Sequence, residues 1–161
     1  MRMWHYKLVS FLPSAQLIGQ WRECIAIAHD WATHELKHPL VMPVTNYSPL
    51  ELLYYCGLVK REMEARGFKI REYTIVKLKD YIYQIHRSDE VPLNYSDYSE
   101  TRYRDWMEKV FDGYLDNVLF DKWHNETYLE ICYWNMYEKY LCGCVPEDEW
   151  CIFVEGGREL I

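Results

Sequence analysis

The sequence predicts an all-α fold: a single-domain, compact helical bundle with long connecting loops, spanning residues 1–161. Three observations carry that expectation. Apolar residues recur at helical spacing in several long stretches. Capping residues stand before these stretches and glycines after them. The length suits one domain with a sizeable core, and no repeat, low-complexity tract or linker divides the chain.

The first helix is expected over roughly 14–32, with Pro13 before it and Ser14 as its cap candidate. Leu17, Ile18, Trp21, Cys24, Ile25 and Ala28 form its apolar stripe. Gln16, Gln20 and Glu23 share its polar face, with Arg22 at the edge. "MPVTNYSPLE" reads as a loop. Ser48 then caps a second helix, with Pro49 at its first position and Glu51 completing an S-x-x-E capping box. Leu52, Leu53, Cys56, Val59 and Met63 make its stripe, and Gly67 is its stop. "IREYTIVKLKDYIYQI" is ambiguous: its β-branched content favours a strand, while Ile75, Leu78, Ile82 and Ile85 are spaced for a helix. "VPLNYSDYSE" reads as a loop and "ETRYRDWMEKVFDGYL" as a third helix. A last long helix is expected over "NETYLEICYWNMYEKYLCG", from the Asn125 cap to Gly143. The tail "WCIFVEGGRELI" reads as short and irregular, with room for one strand. Antiparallel packing of the helices is the natural way to bury these stripes.

Composition narrows the function. Half of the residues are apolar, which argues against disorder. The 15 Tyr and 7 Trp suit a ring-rich core and rim, and equally suit stacking on exposed bases. The net charge of −7 is uneven: residues from Asp97 onward carry 15 acidic and 6 basic side chains, against 10 and 12 before it. An acidic total argues against tight non-specific DNA binding, so only the N-terminal part could offer a positive face. "MRMWHYKLVSFLPS" does not read as a signal peptide, and no apolar run reaches membrane-spanning length. The expectation is a cytoplasmic protein, off the membrane, with its six cysteines reduced. Cys132, Cys142, Cys144 and Cys151 cluster late in the chain, but not at a standard zinc spacing.

"HELKH" at 34–38 fits the zinc-protease pattern H-E-x-x-H. That chemistry needs both histidines on one continuous helix and a third ligand downstream. Here the helix is ending, Pro39 forces His38 out of helical geometry, and neither His86 nor His124 lies at a zincin spacing. The segment reads as a helix end, where a histidine would sit favourably against the dipole. No metal and no cofactor is expected.

The N-terminus carries a better candidate. "LVSFLPSAQLIGQWRE" places Leu8-Val9-Ser10, Leu17-Ile18 and Arg22-Glu23 in one ungapped register. That register resembles the pyrimidine-dimer DNA glycosylase family of the phage endonuclease V type. Arg66-Gly67-Phe68 is similar to the exit of the family's second helix. The opening "MR-x-WH", "LP-x-x-QL-x-GQ-x-RE" and the "NETYLEICYWNMYEKY" helix resemble a mostly uncharacterised bacterial branch of it. The resemblance is specific over 1–24, moderate over 50–70 and weak elsewhere.

The resemblance implies DNA repair through an N-terminal α-amine, which attacks the sugar C1′ of a damaged nucleotide and forms a Schiff base. An α-amine suits this because its ordinary pKa, near 8, leaves a neutral fraction at neutral pH. Family members process Met1 to expose a small residue, but the large side chain of Arg2 predicts that Met1 is kept. The resemblance therefore assigns the nucleophile to Met1 and the catalytic carboxylate to Glu23, which would stabilise the cationic sugar and move protons in β-elimination. It assigns DNA contacts to Arg2, Arg22 and Gln16. Gln16 stands where the phage enzyme has a histidine, and Ala26 where it has an arginine. The C-terminal segment, basic in the phage enzyme, is acidic here. The implied function is thus a DNA glycosylase and abasic-site lyase acting on damaged duplex. Two alternatives stand beside it: a non-catalytic helical interaction protein that keeps the fold, and a metal site at the late cysteines or at His5 with first-helix residues.

Overall fold

In a computed structural model, which describes residues 1–88, 97–114 and 119–161, all regular structure is helical. Six α-helices follow one another: α1 Ser14–Ala32, α2 Pro49–Ala65, α3 Glu72–Ser88, α4 Asp97–Phe111, α5 Glu126–Leu141 and α6 Glu147–Arg158. Two 3-10 turns, Tyr6–Phe11 and Met42–Asn46, precede α1 and α2. Helices α1, α2 and α3 pack on one another, and α4 covers a further face of α2. The Tyr6–Phe11 turn lies between α2 and α6, and α6 folds back on α5.

The ambiguous segment is α3. Ile75, Leu78, Ile82 and Ile85 are all buried, and they share one helical face against α1 and α2. Burying such a stripe contributes about 1.5–3 kcal/mol per large aliphatic side chain. That exceeds the few tenths by which β-branched residues disfavour a helix. The third helix starts earlier than expected, at Asp97, so the end of "VPLNYSDYSE" is helical; residues 91–96 of that predicted loop lie outside the described residues. It also stops earlier, at Phe111.

The tail is a correction. "EDEWCIFVEGGR" is the helix α6, where an irregular segment or strand was expected. Adjacent glycines such as Gly156-Gly157 ordinarily weaken a helix. In the fold the pair is a contact surface: a Cβ on Gly156 would meet the Phe11 ring, and one on Gly157 would press on Tyr133. Three acidic residues in the first turn of α6 further support the helix through its dipole.

The caps also differ from expectation. Ser48 does cap α2, accepting from Leu50 N, and Asn125 caps α5, accepting from Tyr128 N. Ser14 does not cap α1; its N–H instead donates to Glu149 Oε2 of α6 at 2.7 Å. Glu51 does not close a capping box, because its carboxylate accepts from Phe120 N at 3.0 Å. Gly67 ends α2 in the left-handed region (φ 85), as a C-terminal glycine should. Arg66 beside it donates to Leu12 O at 2.6 Å and Ser10 O at 3.1 Å, tying the end of α2 to the N-terminal turn.

Candidate active site

The first five residues have no regular secondary structure and are held against α1 by two side chains one turn apart. Glu23 Oε2 accepts from Arg2 N at 3.1 Å, and Glu23 Oε1 lies 3.9 Å from the Met1 amine. Gln20 Nε2 donates to Arg2 O at 3.0 Å, while Gln20 Oε1 accepts from Trp4 N at 2.8 Å. The Tyr55 hydroxyl of α2 backs this up, 2.7 Å from Trp4 O and 3.0 Å from Gln20 Oε1. Met3 is fully buried, and its carbonyl accepts from the Tyr128 hydroxyl of α5 at 2.5 Å. The N-terminal segment is therefore tied at successive residues from three helices. Local ordering of this kind holds in place a terminus that would otherwise be mobile.

A second seam joins this segment to the loop before α5. His5 Nε2–H donates to His124 O at 2.7 Å, and His5 Nδ1 accepts from Lys7 N at 3.2 Å. His124 Nδ1 in turn accepts from Tyr6 N at 3.2 Å. These partners fix both rings as neutral tautomers protonated on Nε2. Burial drives both in the same direction: desolvation lowers His5 to about 4 despite its bond to the His124 carbonyl, and holds His124 well below the ordinary range. Both ring nitrogens of His5 are engaged in these hydrogen bonds. Among the described residues, the group of three donors within reach of one ion is His29, Asp30 and Glu35, and it contains no cysteine. Cys132 is buried, while Cys142, Cys144 and Cys151 are exposed.

Met1 and Glu23 line a cavity of about 630 Å³ between α1 and α5. One wall is the α1 face expected from sequence, with Gln16, Gln20 and Glu23. Gln16 Oε1 is buried there without a hydrogen-bond partner. Arg2 and Trp4 complete that side, with the Arg2 guanidinium over the Trp4 ring at 5.4 Å. Arg22 is not brought in: it is exposed on α1 and does not line the cavity. The opposite wall comes from one face of α5, where Asn135, Glu138, Lys139 and Cys142 follow helical spacing, with Cys144 just beyond.

The family model described as pyrimidine dimer DNA glycosylase matches residues 1–76. Over those residues, just under half of the chain, the protein is similar to that family. No curated protein and no solved structure matches the chain. The family match covers Met1, Arg2, the cavity-lining face of α1 and all of α2, and ends within α3. The α5 wall lies beyond it. No helix among the described residues is long and apolar enough to cross a membrane.

Sequence reasoning missed part of this site. Gln20 appears there only as a polar-face residue, although it holds Arg2 and Trp4. Its signal was its position, one turn before Glu23 on the same face. The α5 residues carried no signal that separates a cavity wall from a solvated face. "HELKH" changes meaning once more. Helix α1 ends at Ala32 and His34 takes left-handed backbone (φ 60), so no two-histidine helical site exists there. His38 nevertheless lines the edge of the same cavity.

Proposed function

We propose that the protein is a DNA glycosylase and abasic-site lyase in which the Met1 α-amine is the nucleophile and Glu23 the catalytic carboxylate. The observation that carries this reading is the 3.9 Å approach of the amine to Glu23 at the edge of an open cavity, within the family-matched segment. The neutral amine attacks C1′ of the damaged nucleotide as the bond to the base breaks. Glu23 passes the proton that the amine sheds to the departing base and so returns to the carboxylate, and the iminium forms as the sugar ring opens with O4′ taking a proton from solvent. Glu23 then takes a proton from C2′, so that the 3′ phosphate leaves by β-elimination. Arg2 and Gln16 line the cavity and serve as contacts to the strand. Arg22, exposed beside Glu23, is assigned to a flanking phosphate outside the cavity.

The test is strand cleavage of duplex DNA carrying one abasic site, at low salt, by protein whose intact mass gives Met1 as the first residue. Cleavage that disappears when the α-amine is selectively acetylated supports the reading. Cleavage that survives acetylation, or no cleavage at all, overturns it and favours the non-catalytic relative that keeps the fold.

A further inference from the structure

The α5 wall holds a group that the reaction above does not use. Cys142 and Cys144 are both free, both exposed, and both line the cavity that Met1 and Glu23 line. They flank Gly143, which has left-handed backbone (φ 76) and nothing within 4 Å of its Cβ position. This turn folds Cys144 back on α5: its N–H donates to Lys139 O at 2.9 Å, and its Sγ lies 4.0 Å from Cys142 O. Residues two apart in such a turn have Cα atoms roughly 5–7 Å apart, which overlaps the span a disulfide bridges. The three cysteines Cys24, Cys56 and Cys132 are buried. Cys151 is the remaining exposed thiol, on α6, and it does not line the cavity.

We propose that Cys142-Gly143-Cys144 is a self-resolving dithiol at the mouth of the Met1 cavity, taking small-molecule disulfides as its substrate class. One cysteine thiolate attacks a sulfur of the incoming disulfide. A new sulfur–sulfur bond forms to the cysteine, and the other half leaves as a thiolate, which takes up the proton. The neighbouring cysteine then attacks its partner's sulfur, closes the Cys142–Cys144 disulfide and expels the second half as thiol. Two protein thiols are oxidised, and one external disulfide is reduced to two thiols. The consequence is that no adduct persists in the cavity mouth. The proposal stands on the cavity and the two sulfurs alone, and holds whichever reaction the cavity serves.

The probe is oxidised glutathione, read by intact mass and peptide mapping, with the rate of Met1 acetylation as the measure of cavity access. The wild type is expected to lose two hydrogens in the 142–144 peptide, to carry glutathione only on Cys151, and to acetylate Met1 at its reduced-state rate. Cys142→Ser and Cys144→Ser, tested singly, are each expected to keep a glutathione adduct on the remaining cysteine and to acetylate Met1 several-fold more slowly. Dithiothreitol restores the rate. A stable glutathione adduct on wild-type Cys142 or Cys144 would overturn self-resolution. Adducts in the single variants that leave Met1 acetylation unchanged would overturn the placement at the cavity mouth.

Discussion

On the α1 side of the cavity, Glu23 and Gln20 tie down the backbone of residues 2–4, and Tyr55 and Tyr128 reinforce them from behind. On the α5 side, the Glu138 and Lys139 side chains line the same space and are exposed, and among the described residues they have no partner such as the Gln20 and Glu23 side chains have. The contrast separates two physical tasks. A nucleophile gains from being held in place, because orientation is worth several kcal/mol of barrier. The exposed side chains of the other wall supply no such restraint. The family match follows the same division, covering the held side and stopping before the open one.

The comparison breaks most sharply at Glu23. Glu23→Gln keeps an acceptor for Arg2 N and removes the proposed base, so abasic-site cleavage should fall by about 10²–10⁴-fold with little change in melting temperature. A loss below tenfold would move the chemistry elsewhere. Next in size is the seam between the two sides. His5 and His124 are buried neutral, with folded pKa values below the ordinary 6.5. The unfolded chain binds more protons in that window. Stability is therefore fully present above about pH 6.5 and falls as pH drops towards about 4, by about 3 kcal/mol from His5 alone. Urea titrations between pH 7 and pH 4.5 should show it as a falling midpoint; a flat midpoint would remove the seam from the account.

Gln20→Ala removes three hydrogen bonds and leaves buried backbone groups unpaired. It should cost about 1–3 kcal/mol and also slow cleavage, because the segment carrying Met1 is released. The smallest effect belongs to the open wall. Lys139→Gln should weaken abasic-DNA binding a few-fold and flatten its salt dependence, while leaving single-turnover cleavage at saturation unchanged. A large single-turnover defect there would put α5 in the chemistry and erase the contrast.

How much of this the sequence disclosed follows the same physical line. The held side was legible because its determinants are local: the stripe of α1 fixes which face Gln16 and Glu23 share, and the ungapped register places Met1 near them. What it hid was tertiary. Ser14 looks like a cap, yet Glu149 satisfies its N–H from a helix 135 residues away. Glu51 looks like a capping-box partner, yet it is drawn off to Phe120. Adjacent glycines ordinarily weaken a helix, yet Gly156-Gly157 lies within α6 with Phe11 and Tyr133 packed over it. The α5 wall was hidden for the same reason: only the folded chain shows that this exposed polar face lies across the cavity from α1.

The central claim is that the Met1 amine, and no lysine, forms the covalent bond to the sugar. The most direct measurement is borohydride trapping on abasic-site DNA, followed by protease digestion and mass analysis of the cross-linked peptide. The account predicts a single reduced adduct on the Met1 nitrogen, formed at least tenfold more slowly in Glu23→Gln. An adduct on Lys7, Lys139 or any other side chain, or no adduct with intact Met1, would contradict it.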